Sequence, residues 1–221
     1  MHCLSQLENG ILATKKDFEE FSKKENSKIL VLSDSHGAAE LIFSILQKFG
    51  PQVDAMVFAG DGIFDILDAI EKAKKHFSTA KCIPPVIAFA KGNNDPSVCE
   101  TDFLKKITVP AKVIFKAGAK KILVSHGNSE GVYYGFSALE TAAQEFGANA
   151  AIFGHTHVPA EIMGTTYIMN PGSISLPRHR SFPSFAVLEI FGKNMTSIFY
   201  KIENKMNYEF TPYHPESFYG F

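Results

Sequence analysis

The chain has 221 residues, 45% hydrophobic and 20% charged, with a formal net charge of −1. That is a globular balance, long enough to bury a sizeable core in one large domain. It has no basic excess, which argues against electrostatic capture of nucleic acid or an anionic membrane, so a phosphorylated substrate must be attracted locally, for example by metals.

The start, MHCLSQLENGILATKKDFEE, lacks a basic segment followed by an apolar one, and so does not read as a secretory signal. No run approaches the ~18 apolar residues of a membrane span. Cys3, Cys82 and Cys99 show no CxxC spacing and no even framework, which reads as reduced thiols in a cytoplasmic protein. From Ile11 to Lys28 charges dominate and apolar anchors are few. This predicts a solvated helix, with residues 1–27 as a charged extension and residues 28–221 as a single domain.

Lys28 to Ser33 is a short β-branched run suited to a buried strand. Leu41, Ile42, Ile45, Leu46 and Phe49 then repeat at helical spacing until Gly50-Pro51. Ala55 to Ala59 reads as a strand, Phe64 to Phe77 as a helix and Val86 to Ala90 as a third strand. This β-α-β-α-β order implies a parallel sheet with right-handed crossovers. Ile107 to Phe115 and Lys120 to Ser125 read as a hairpin turning at Ala117-Gly118. A helix over Gly135 to Phe146 and a buried strand over Ala150 to Phe153 follow. Glu161 to Met169, Phe185 to Ile190 and Thr196 to Lys201 read as strands, making the second half largely antiparallel. Two packed sheets with helices outside satisfy both halves. The aromatic tail, Phe210 to Phe221, is expected to dock on its own domain rather than form a helix. An edge strand or this tail leaves a homo-oligomer open.

The chemistry lies at the strand ends. Asp34 and His36 follow the first strand, Asp61 the second and Asn93 the third; His126 follows the strand beginning near Lys120, and His155 and His157 the one beginning near Ala150. In open α/β sheets functional groups gather beyond the carboxyl ends of parallel strands. Residues i and i+2 of an extended segment point the same way, so Asp34 with His36, and His155 with His157, can each grip one ion. Four imidazoles, two carboxylates and one amide suit borderline divalent ions: Mn²⁺ first, then Fe, Zn²⁺ or Ni²⁺. Seven ligands exceed one tetrahedral zinc and suit two ions sharing a bridging carboxylate.

The ordered set DSH, GDG, GNND, SHG and GHTH resembles the calcineurin-like metallophosphoesterase superfamily. NPGS at Asn170 to Ser173, followed by Pro177-Arg178, resembles its small single-domain YfcE-like phosphodiesterase branch. The resemblance spans about Lys28 to Ile190 and implies a four-layer αββα sandwich of α/β class, with two mixed sheets face to face and helices outside. It implies one ion on Asp34, His36, Asp61 and His157, and a second on Asp61, Asn93, His126 and His155. Many relatives carry a histidine where this chain has Asn94, and an amide cannot act as a general acid near neutral pH. Asn128 likewise stands where relatives often carry histidine, and is taken only as lining the site. Asp95 is taken to orient the Asn93–Asn94 loop.

The expected reaction is hydrolysis of a small phosphate ester, with a hydroxide bridging the two ions as nucleophile. Asn93 and Asn94 would hydrogen-bond the phosphate, and solvent or His126 would protonate the leaving group. Diesters with good leaving groups should be preferred to monoesters. Arg178 either reaches a substrate phosphate or braces the NPGS turn, the second being favoured. Tyr133, Tyr134 and Phe136 are taken to pack rather than to stack on a base. The alternative is a protein-binding scaffold on the same fold, as in the superfamily's retromer subunit. A nuclease is disfavoured by the net charge and the absence of a basic, aromatic-interleaved stretch.

Overall fold

The computed structural model describes residues 4–7, 10–203 and 207–215. The strands are β1 (Ser5–Leu7), β2 (Ile11–Ala13), β3 (Asn26–Leu32), β4 (Ala55–Phe58), β5 (Val86–Phe89), β6 (Val98–Thr101), β7 (Lys105–Thr108), β8 (Lys112–Ala117), β9 (Lys120–Ser125), β10 (Ala150–Ile152), β11 (Ala160–Ile162), β12 (Tyr167–Asn170), β13 (Ser184–Phe191), β14 (Asn194–Glu203) and β15 (Glu209–Tyr213). The helices are α1 (Lys15–Lys23), α2 (Ala39–Phe49), α3 (Ile63–Lys74), α4 (Phe77–Ala80) and α5 (Ser137–Glu145).

One sheet has eight strands in the order β1-β2-β5-β4-β3-β13-β14-β15, the other five in the order β11-β12-β10-β9-β8. In the larger sheet β3, β4 and β5 run parallel, as their helical crossovers require. β13 then pairs antiparallel with β3.

Alternation along the strands builds the layers. Ile29, Val31, Val57 and Ala88 face the second sheet, where Val113, Ile122, Val124, Ile152 and Met169 meet them. The alternate residues Leu30, Leu32, Met56 and Phe58 turn the other way, onto Ile42, Ile45 and Leu46 of α2 and Ile66 and Ile70 of α3. On the far side Leu123, Ala151 and Ile168 pack on Leu139, Ala142 and Ala143 of α5. Each fully buried Leu, Ile or Phe contributes about 1.5–3 kcal/mol, so the three apolar clusters hold four layers, αββα.

The N-terminal segment departs from expectation. A helix does occupy the charged run, but the sheet does not begin at Lys28. Ile11–Ala13 pair antiparallel with Val86–Ala88 and are buried. Three apolar residues are too few to register as a periodic run. Helix α1, capped by Thr14, lays Phe21 against Phe115, ring centroids 6.1 Å apart, and so closes one side of the inter-sheet core.

Two long strand readings also divide. Ile107 to Phe115 breaks around Val109-Pro110, since proline has no N–H to donate; β7 turns back to pair with β6, a strand not anticipated. Glu161 to Met169 is a hairpin of β11 and β12. The second half is less antiparallel than expected, because β10 runs parallel to both β9 and β12. In the described part of the tail, β15 pairs with β14, and Phe210 packs on Phe49 and Phe185. Residues 216–221 and Cys3 lie outside the described residues. Cys82 and Cys99 are buried free thiols. Among the described residues no helix is long and apolar enough to cross a membrane.

Candidate metal centre

The carboxyl ends of β3, β4, β9 and β10 meet at one end of the sandwich. Asp34 Oδ1 lies 3.3 Å from His157 Nε2, 4.0 Å from His36 Nε2 and 3.9 Å from His126 Nε2. Asp61 Oδ2 lies 3.4 Å from His126 Nε2 and 3.9 Å from His36 Nε2. Two overlapping clusters result, Asp34 with His36 and His157, and Asp34 with Asp61 and His126. Asp34, Asp61, His126 and His157 are buried.

The backbone is bent to achieve this. Asp34, His36, Asp61, His155 and His157 all have φ between 41° and 67°. This left-handed region costs a non-glycine residue on the order of 1 kcal/mol. Asp34 and His36 therefore converge through consecutive turns, not because an extended segment aims i and i+2 alike. Glycines let the turns approach closely. A Cβ on Gly92 would stand 2.1 Å from Asp61 Oδ1, and one on Gly154 would stand 1.9 Å from Ser33 Oγ.

Hydrogen bonds fix the tautomers. His126 Nδ1 is 2.7 Å from the Ala59 carbonyl and His157 Nδ1 is 2.6 Å from the Leu176 carbonyl. Each Nδ1 must donate there, which leaves each Nε2 lone pair facing the carboxylates. His126 Nε2 is buried with no hydrogen-bond partner, and His36 Nε2 and His157 Nε2 stand 3.1 Å apart. Lone pairs converging on carboxylates call for a cation. Burial disfavours charge on His126, but Asp61 and Asp34 outweigh it and raise its pKa. Burial likewise opposes ionisation of Asp61, yet His126 and Asn94 hold its carboxyl well below the usual carboxylate range. For His155, burial and then the His126 charge lower the pKa, favouring the neutral imidazole that a metal requires. The residues fit divalent ions.

The remaining expected residues are placed as follows. His155 sets its ring edge-on to His126, centroids 5.0 Å apart, and its backbone N–H donates to Asp34 Oδ2 at 3.1 Å. Asn93 is exposed on the loop after β5. Asn94 directs both donors at Asp61, its backbone N–H to Oδ1 at 2.8 Å and its Nδ2 to Oδ2 at 2.7 Å. Asn128 is exposed. Phe136 packs on Phe153, centroids 5.2 Å apart. Tyr133 packs edge-on to His155 and stays half-exposed, whereas Tyr134 is almost fully exposed.

Sequence reasoning underrated the supports. The buried Asp95 carboxylate accepts from the N–H groups of Asp61, Gly62, Ile63 and Gly92 at 2.7–2.9 Å, tying the β4 turn to the β5 turn. Ser33 Oγ donates to Asp34 Oδ2, and Asp65 accepts from Ser35 Oγ and Gly37 N. Asn170 Nδ2 donates to Gly154 O, and Ser173 Oγ donates to Asp34 O, so the NPGS segment clamps two of the turns from below. An acidic residue just before or after a strand-end turn was the available signal.

The family model for the calcineurin-like phosphoesterase superfamily domain matches residues 28–193. The chain belongs to the calcineurin-like phosphoesterase superfamily. Within it, the probable metallophosphoesterase YsnB of Bacillus subtilis is 32% identical over 173 residues, covering 78% of this chain and 89% of its own. The phosphodiesterase YfcE of Escherichia coli K12 is 26% identical over 171 residues, covering 73% and 87%. Vacuolar Protein Sorting 29 from Cryptosporidium parvum superposes with a TM-score of 0.63 at 16% identity, over 86% of this chain and 99% of that one, a likeness of fold. This calcineurin-like chain is thus a phosphoesterase by family, with candidate ligands for divalent ions gathered at one end of its sandwich.

Proposed function

We propose that the protein is a dinuclear-metal phosphodiesterase acting on a small phosphate ester. The observation that carries this reading is the pair of overlapping clusters around Asp34, with the orphaned Nε2 of His126 turned into them. Asp34, His36, Asp61 and His157 would hold one ion, and Asp61, Asn93, His126 and His155 the other. Bound divalent ions supply an activated water and offset charge building on the phosphoryl group. Mn²⁺ is the first ion to test.

The chain's own residues prepare the site. The Ala59 and Leu176 carbonyls lock His126 and His157 in the ligating tautomer. Asn94 and Asp95 hold Asp61 and its loop, so no reorganisation is needed when charge develops. Asn94 offers donors but no transferable proton at neutral pH, and with His126 facing the carboxylates the leaving group takes its proton from solvent. That favours diesters with acidic leaving groups. The buried thiols agree with a reducing, cytoplasmic setting.

The test is to strip the protein of metal and assay a chromogenic phosphodiester and the matching monoester with and without Mn²⁺. Metal-restored hydrolysis, faster for the diester, is expected. Two bound ions per chain with no turnover of either ester would reject the enzyme and favour a binding scaffold.

A further inference from the structure

A guanidinium stands beside the metal centre with no charge to match it. The backbone N–H of Arg178 donates to the His157 carbonyl at 3.3 Å. Its Nη1 donates to the Tyr133 hydroxyl, which in turn donates to the His155 carbonyl at 3.0 Å. The Tyr133 ring lies edge-on to the His155 imidazole, centroids 4.9 Å apart. Arg178 therefore spans the two turns that deliver His155 and His157, and its charge reaches His155.

The turn that presents it is strained. His179 and Arg180 have φ of 51° and 62°, and the Ser181 hydroxyl donates to Arg178 O at 2.6 Å. Successive left-handed non-glycine residues persist only where surrounding contacts over-determine them, and such strain clusters at ligand sites. Among the described residues no carboxylate pairs with Arg178. A neutral donor would brace a phenol equally well; a guanidinium adds a planar fork suited to phosphate or carboxylate.

The fork has room for a ligand: Arg178 is exposed beside the turns that carry His155 and His157, and the hydrogen bond of its Nη1 to Tyr133 leaves its other donors facing outward for an anion. We propose that Arg178, braced by Tyr133, binds a second anionic group, a phosphate or carboxylate, carried on one ester arm of the substrate. This deepens the proposed phosphodiesterase reading and rests on it.

The test is calorimetric binding of three phosphinates, diester mimics made non-hydrolysable by carbon in place of both ester oxygens, to Mn²⁺-loaded protein whose metal content is measured in the same sample. One carries an uncharged alkyl arm, one a terminal carboxylate and one a terminal phosphate. The wild type should bind at least one anion-bearing analogue about tenfold more tightly than the uncharged one, as a charged hydrogen bond provides. Arg178→Gln should reduce that preference to within about twofold, and Arg178→Lys should keep part of it. Tyr133→Phe, which keeps the ring but frees the guanidinium, should lose about threefold of it. The better anion-bearing analogue identifies the group. Equal wild-type binding of all three by metal-loaded protein, or an undiminished preference in Arg178→Gln, would overturn the subsite alone. Protein that takes up no ions would instead defeat the two-metal reading, and the subsite with it.

Discussion

Asp61 shows how one residue concentrates the demands of the site. It turns in the left-handed region at φ 59°, with its N–H on Asp95, its carboxylate between Asn94 and His126, and Gly92 against Oδ1. Its Oδ2 faces Nε2 of both His36 and His126, as Asp34 Oδ1 also does, and Asp61 is the one proposed to bridge the ions. Asp61→Ala should lower turnover on the order of 10³-fold, since metal charge stabilisation supplies several kcal/mol. It should also reduce bound metal below two ions per chain by elemental analysis. Wild-type turnover in a fully demetallated Asp61→Ala protein would defeat the two-ion account. The ligand types were legible in the sequence because aspartate and histidine beside glycine at a strand end are local chemistry. The direction of Asn94 was not. Its two donors meet Asp61 rather than open space only because the β4 and β5 turns lie side by side.

Among the elements, the central strands were read within a residue or two, since continuous apolar β-branched runs bounded by glycine have few other solutions. In the N-terminal segment the helix stands in the charged run as expected, whereas β1 and β2 are not foreseen. In a charged stretch, Phe21 looks like an isolated apolar residue; in the fold it is buried against Phe115 and joins the inter-sheet core. Helix α1 is therefore held by one buried anchor and its Thr14 cap rather than merely solvated. Phe21→Ala should reduce unfolding free energy in urea by about 3 kcal/mol, with unchanged activity per folded molecule. A loss under about 0.5 kcal/mol, the range of ordinary surface substitutions, would mean that the helix contributes nothing to the core.

Over the whole molecule, the site is the seam between two sheets. His36 and His157 touch although 121 positions separate them, and Asp34 contacts the His155 N–H over the same span of chain. Ions bound at such a seam would join the halves, because the candidate ligands come from both sheets. Each ion held at about 100 times its dissociation constant adds about 2.7 kcal/mol, so two add about 5 kcal/mol. For a chain of this size that corresponds to roughly 10–20 °C in Tm. A chelator should therefore lower Tm by this amount in differential scanning calorimetry, and Mn²⁺ should restore it. An unchanged Tm after verified metal removal would place the ions outside the seam.

By itself the sequence determined the central strands, which of their ends carry ligand types, and the order in which those ends occur. Each of these depends on a few adjacent residues: an apolar run, a glycine, then an acid or imidazole. Only the tertiary structure decided which ends meet, that Ile11–Ala13 extend the larger sheet, that Asp95 binds two turns together, and that Arg178 reaches Tyr133. Those contacts join residues far apart in the chain. They are fixed by how two twisted sheets bury their inner faces against each other, a packing energy spread over the whole core that no single segment encodes.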